Sequence, residues 1–198
     1  MLEKLKSIDV EIFLFLNGMH NDFFDVIMYW TSDKLFWIPF YICLLLIIFK
    51  IYKNKSISIL IGIGLLITLC DQTASHLIKN TVKRLRPSHE PSLVNLIHLS
   101  DAGPGGNYGF VSSHAANAFG LATFLIILLP KKYNWLKWTL LFWAVLVSYS
   151  RIYNGVHYPS DVVVAAIIGI IYAFLVKFIL MKFKLYPSIQ KEKLFDSE

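Results

Sequence analysis

Apolar positions in this chain fall into long blocks separated by short polar breaks. Leu35 to Tyr52 is closed by Lys50, Lys53 and Lys55, and Ile57 runs to about Lys83. Ala115 to Leu129 is stopped by Pro130-Lys131-Lys132, Leu136 continues to Tyr149, and Val162 runs to Leu180 ahead of Lys182 and Lys184. A helix needs roughly 20 residues to cross the hydrocarbon of a bilayer, so the blocks predict an all-α polytopic membrane bundle of about five transmembrane helices. Residues 2 to 31 differ. Leu5, Ile8, Ile12, Phe13 and Leu16 recur near helical spacing, a break follows at Asn17-Gly18, and Phe23 to Trp30 forms a second short piece. Each piece is shorter than a span and carries charge, which predicts two interfacial amphipathic helices, with a kinked single span as the competing reading. No internal repeat or linker interrupts the chain. It reads as one domain, with interfacial helices over 1–33, a transmembrane core over 34–185 and a polar tail over 186–198.

Composition agrees with the pattern. The 198 residues are 56% hydrophobic and 16% charged, with a mean hydropathy of +0.57, too apolar for a soluble domain of this length. The first apolar run follows Glu3 and Asp9 and precedes no small-residue cleavage site, so no secretory signal is expected. Cys43 and Cys70 lie inside predicted spans without metal-ligand spacing and read as small core residues. The net charge of +6 comes from lysines in short loops rather than from a basic stripe. The membrane therefore explains it, and nucleic acid is not an expected partner. Oligomeric state is left open.

Four polar stretches carry candidate chemistry. In Ser150-Arg151-Ile152-Tyr153-Asn154-Gly155-Val156-His157-Tyr158-Pro159-Ser160-Asp161, Pro159 suits the first position of a helix, which puts Asp161 in its first turn within reach of His157. A carboxylate on one ring nitrogen fixes the tautomer and leaves the other free as nucleophile or base. Arg151 offers a fork of donors to a phosphate or carboxylate, and the preceding segment holds no acid to neutralise it. Ser112 is a good N-cap before the apolar helix that follows, leaving Ser113 and His114 at an anion-binding helix N-terminus. Lys79, Lys83 and Arg86, at i, i+4 and i+7, project from one face of a helix that Pro87 stops, while Arg84 points elsewhere. Asp71 and His76 fall near membrane depth, where ionisable groups usually face a polar cavity, and are assigned with Lys83 to pocket lining. Residues 88 to 109 make the longest polar loop, a flexible rim or lid over the site. Its His89, Glu90, His98 and Asp101 match no compact metal site, so neither metal nor cofactor is expected.

Alternating helix direction gathers all four stretches at one membrane face. The opposite face receives Lys50, Lys53 and Lys55, Lys131, Lys132 and Lys137, and the five lysines from Lys177 to Lys193. By the positive-inside rule that face is cytoplasmic, and the polar site looks outward.

Lys79-x6-Arg86-Pro87, Ser112-Ser113-His114 and Ser150-Arg151-x5-His157-x3-Asp161 together resemble the three-part signature of the type 2 phosphatidic acid phosphatase superfamily. The resemblance covers about residues 57 to 183. The outer parts match in full; the middle part has Val111-Ser112-Ser113-His114 where the family usually has Pro-Ser-Gly-His. The resemblance implies a phosphohistidine on His157 oriented by Asp161, with His114 as acid and then base. It also implies that Lys79, Arg86, Ser112, the Ser113 amide and Arg151 hold the phosphate oxygens, without a metal. The expected function is a lipid phosphate phosphatase in a bacterial inner membrane. Undecaprenyl diphosphate is the first choice of substrate, lipid A phosphates come next, and phosphatidylglycerol phosphate or phosphatidic acid follow. The competing readings are a phosphotransferase using the same residues and a small anion or proton transporter, which would need polar groups spread through the membrane depth.

Overall fold

The computed structural model describes residues 2–187; Lys191 and Lys193, and most of the polar tail, lie outside them. Helices α1 (Leu2–Asn17) and α2 (Asp22–Ser32) are followed by α3 (Ile38–Tyr52) and α4 (Ser56–Asp71). A π-helical segment, Gln72–Ile78, leads from α4 into the single turn α5 (Lys79–Val82). After a long connection come α6 (Ser113–Leu128), α7 (Asn134–Tyr153) and α8 (Pro159–Lys182). The described residues are all-helical with no strand, and one isolated bridge pairs Leu85 with Tyr108. Two stretches are long and apolar enough to cross a membrane, Ile38–Val82 and Pro159–Lys182, and Ser113–Leu128 is a shorter apolar helix. Within the first, Lys53 takes φ 48° and ψ −123° and α3 gives way to α4 there. The Ser56 hydroxyl closes the turn on the Ile48 carbonyl at 3.2 Å.

The centre of the bundle is the pair α6 and α8, flanked by α4 and α7. These two helices meet through small residues: Ala115, Ala116, Gly120, Ala165, Gly169 and Ala173 all lie in the interface or the core. A Cβ added to Gly169 would stand 2.3 Å from the Ala116 carbonyl oxygen, so only glycine allows this approach. In lipid, where no hydrophobic force drives helices together, such close backbone packing is a main source of association. Gly169→Val is expected to cost about 3 kcal/mol or more by overpacking, read as a fall in detergent-solubilised yield and melting temperature.

The break at Asn17-Gly18 falls where the sequence puts it, but α1 presents its apolar residues the other way from a soluble helix. Leu5, Ile8, Ile12 and Phe15 are exposed, while Asp9, Phe13 and Asn17, at i, i+4 and i+8, turn into the protein. Asn17 Nδ2 donates to the Tyr153 and His98 carbonyls at 2.8 and 2.9 Å, and its Oδ1 accepts the His98 amide at 2.8 Å. In α2, Asp25 Oδ1 accepts from the Tyr153 hydroxyl at 2.6 Å and pairs with His98 Nε2 at 2.9 Å. The N-terminal pair is therefore docked on the end of α7.

Candidate active site

The turn between α7 and α8 forms because Gly155 takes φ +76° and Pro159 opens α8 one residue after its N-cap, Tyr158. Asp161 then stands at the third helical position. Its Oδ2 accepts the Tyr158 amide at 3.0 Å and lies 3.4 Å from His157 Nδ1, the pairing expected from the spacing. His157 is 1% exposed and Asp161 is fully enclosed. Burial, followed by the charges of Arg86, Arg151 and Lys79, holds the imidazole well below its usual pKa. At neutral pH the ring is therefore uncharged, as a nucleophile must be.

Ser112 caps α6 as predicted, its Oγ accepting the Ala115 amide at 3.4 Å. Its own amide donates to the Asp161 carbonyl at 3.2 Å, which fastens the start of α6 to the start of α8. The amides of Ser113 and His114 have no acceptor among the described residues, and the His114 ring has no hydrogen-bond partner there. Ser113, in the place of the family's usual glycine, turns its hydroxyl away to Ser75 Oγ at 2.8 Å and Lys79 Nζ at 3.2 Å. Its amide is left free for an anion.

The expected cationic face is built differently. The helix ends at Val82, and Lys83 adopts a left-handed conformation at φ 50°, so Lys79, Lys83 and Arg86 do not share a helix face. Arg86 arrives from the extended segment beyond. Its amide donates to the Asn107 carbonyl at 3.0 Å and its Nε to the Tyr108 carbonyl at 3.1 Å, while Gly109 N bonds the Arg84 carbonyl at 2.9 Å. Gly105, at φ +68°, makes room for this guanidinium: a Cβ there would lie 2.4 Å from Arg86 Nη1. Lys83 and His76 are exposed and are not brought to the site. Asp71 is half-buried and joins it indirectly, accepting from Ser75 Oγ at 3.3 Å. The π segment is what puts Ser75 and Lys79 against Ser113. Such insertions into helices often occur at functional positions.

Arg151, half-buried at the end of α7, has no hydrogen bond or ion pair among the described residues, and its Nε is enclosed without an acceptor. The nearby carboxylate, Asp161, is already engaged by Arg84, whose Nη1 donates to its Oδ1 at 2.9 Å. Lys79, Arg86 and Arg151 thus surround an uncharged imidazole as positive charge without a matching anion.

Sequence reasoning missed Arg84 and Asp9, which hold Asp161, and Ser75, which links Asp71 to Ser113. A basic residue two positions before Arg86 and an acid in an apolar helix were the available signals. The connection over 88–109 is a rim, but a tethered one. Ser88 Oγ donates to the Pro104 carbonyl at 2.9 Å, Ser100 Oγ to Asn154 Oδ1 at 2.9 Å, and His98 is fixed by Asn17 and Asp25. Beside His114 a cleft of about 400 Å³ opens among α3, α4, α6 and α7. Its body is apolar, with Tyr41, Leu44, Ile67, Leu121 and Trp143, and its mouth carries Ser32, Asp33 and Lys34.

The family model described as the PAP2 superfamily matches residues 56–184. A lipid A 4'-phosphatase of Bacteroides thetaiotaomicron is 42% identical, over 85% of this chain and 75% of that protein. An undecaprenyl-diphosphatase of Sulfolobus acidocaldarius is 32% identical, over 84% and 76%. A crystal structure of a transmembrane PAP2-type phosphatidylglycerolphosphate phosphatase from Bacillus subtilis superposes with a TM-score of 0.64 at 25% identity, covering 90% of this chain and 87% of that one.

Proposed function

From the premise that this chain belongs to the PAP2 superfamily and is a membrane lipid phosphatase, we propose that it removes a phosphate monoester from a lipid A-type glycolipid through a phosphohistidine on His157. The observation that carries the mechanism is the set of three cations, Lys79, Arg86 and Arg151, around a neutral His157 whose neighbouring carboxylate is already paired. Phosphoryl transfer is mostly positioning and charge neutralisation, and this arrangement supplies both without a metal.

In the first step the free His157 nitrogen attacks phosphorus and the bond to the lipid oxygen breaks. His114 protonates that leaving oxygen. The two negative charges of the bound phosphate favour the protonated form of His114 at this stage. Water, giving its proton to His114, then attacks the phosphohistidine, breaks the N–P bond and releases inorganic phosphate. The Ser113 and His114 amides at the start of α6, with the three cations, hold the non-bridging oxygens throughout.

The glycolipid takes the first place that the sequence alone gave to undecaprenyl diphosphate, for two reasons. The lipid A 4'-phosphatase is the more similar of the two relatives named. The mouth of the cleft beside His114, with Ser32, Asp33 and Lys34, also suits a sugar headgroup above an apolar tail. The bundle reads as five spans, α3, α4 with α5, α6, α7 and α8, with α1 and α2 at the interface of the bacterial inner membrane. Lysines at the end away from His157 put that end in the cytoplasm and the site outside.

The test is phosphate release in detergent with EDTA present, from lipid A, undecaprenyl diphosphate, phosphatidylglycerol phosphate and phosphatidic acid. Release that survives EDTA and is fastest from lipid A is the expected result; a requirement for a divalent metal overturns the mechanism. Filling the cleft with Leu121→Trp is expected to lower kcat/KM for the long-chain lipid by roughly 10-fold or more. Hydrolysis of soluble p-nitrophenyl phosphate should be unchanged. Equal effects on both substrates would remove the tail from the cleft.

A further inference from the structure

Asp161 is held by residues that reach beyond the three motifs. One of its oxygens takes the Tyr158 amide and faces His157, and the other takes Arg84 Nη1. Arg84 is itself fixed from three sides. Its Nη1 also donates to Ser160 Oγ at 2.7 Å, its Nη2 donates to Asp9 Oδ2 at 2.7 Å, and its guanidinium carbon lies 3.8 Å from the centre of the Tyr158 ring. Asp9, on α1, completes the arrangement by accepting the Ser160 amide on Oδ1 at 2.9 Å and the Ser160 hydroxyl on Oδ2. It is 9% exposed, and every hydrogen bond it makes goes to Arg84 or Ser160.

The docking of α1 does not depend on this carboxylate. Asn17 makes its three bonds to Tyr153 and His98, and Phe13 packs edge-on against Tyr158 with centroids 5.5 Å apart. Asp9 therefore has a narrower task. A guanidinium with one carboxylate on each arm cannot rotate about either contact, because its fork is planar. With Asp9 gone, Nη2 loses its acceptor and the plane that sets Asp161 is free to turn.

We infer that Asp9 is a positioning residue for hydrolysis: it orients Arg84, Arg84 fixes Asp161, and Asp161 fixes the imidazole of His157. The inference rests on His157 being the nucleophile. It also makes α1, which lies outside the matched residues 56–184, a working part of the site. The helix that exposes Leu5, Ile8, Ile12 and Phe15 on one side supplies this carboxylate on the other.

The experiment compares full-length parent, Asp9→Ala, Asp9→Glu, Arg84→Gln and the Asp9→Ala/Arg84→Gln double variant in detergent with lipid A as substrate. Since small misplacement of a reacting group costs up to about 100-fold, Asp9→Ala is expected to lower kcat by roughly 10- to 100-fold with little change in KM or melting temperature. Asp9→Glu should recover most of the rate, and the double variant should be no slower than Arg84→Gln alone. A second arm reads the geometry without turnover. In 15N-histidine spectra of the same proteins, the resonance assigned through His157→Ala should lose its hydrogen-bonded Nδ1 signature in Asp9→Ala. Parent-like kcat and an unchanged His157 resonance in Asp9→Ala overturn the inference, as does a loss that follows melting temperature and adds fully to Arg84→Gln. If the parent hydrolyses no lipid phosphate, the functional reading fails and the spectra alone decide the place of Asp9.

Discussion

His157→Ala is expected to reduce phosphate release by roughly 10⁴-fold or more, because it removes the atom that attacks phosphorus rather than one of several groups that steady it. The imidazole is enclosed beside Asp161, and no other side chain in the arrangement offers an uncharged nucleophile. His114→Ala should behave differently, and the difference identifies the two roles. With p-nitrophenyl phosphate, whose leaving group needs no proton, the first step survives and phosphoenzyme accumulates. With lipid A the first step itself slows, by about 10²- to 10⁴-fold for a lost general acid. Rapid acid quench with radiolabelled p-nitrophenyl phosphate reads this directly: label retained by His114→Ala and absent from His157→Ala is the expected outcome. Label in both would place the covalent bond on another residue.

The second large effect concerns Arg151. Its Nε is enclosed without an acceptor, and Arg86 stands close enough to oppose its charge. In the absence of phosphate this cation is desolvated without compensation, a cost partly offset by its place in the last turn of α7, worth at most about 1 kcal/mol. Arg151→Met keeps most of the volume and removes the charge. Activity should fall by about 10²- to 10³-fold, the usual loss for one donor to a developing anion. Stability in the absence of ligand should nonetheless hold or rise by about 1 kcal/mol. Vanadate should raise the melting temperature of the parent and leave Arg151→Met nearly unmoved. A variant both inactive and clearly less stable would show that Arg151 supports the fold instead.

How much of this was legible in the sequence depended on how local each relation is. The pairing of His157 with Asp161 follows from four residues of spacing and a proline at the helix start, so it could be read directly. The Ser112 cap is equally local. Arg86 was assigned to the site for the wrong reason: i, i+7 spacing presumes a continuous helix, and this one ends at Val82. Asp9 was beyond reach. It meets Ser160 across 151 positions, and a charge on a short amphipathic helix ordinarily faces water. In lipid the rule turns over, because hydrocarbon accepts Ile8 and Ile12 while a carboxylate must find its partners inside the protein. The glycine contact between α6 and α8 was hidden for a related reason: nothing in an apolar run marks the residue at which two backbones touch.

The π segment before Lys79 has a consequence of another kind. A π turn is an α-helix carrying one residue more than its hydrogen bonds require. Removing one residue between Gln72 and Ile78 would turn everything after it by about 100° and swing Lys79 off Ser113, although no side chain in the site would have changed. The position of that lysine is written in the length of the chain, so alignments scored by residue type will pass over it, and a gap of one is where related proteins would diverge.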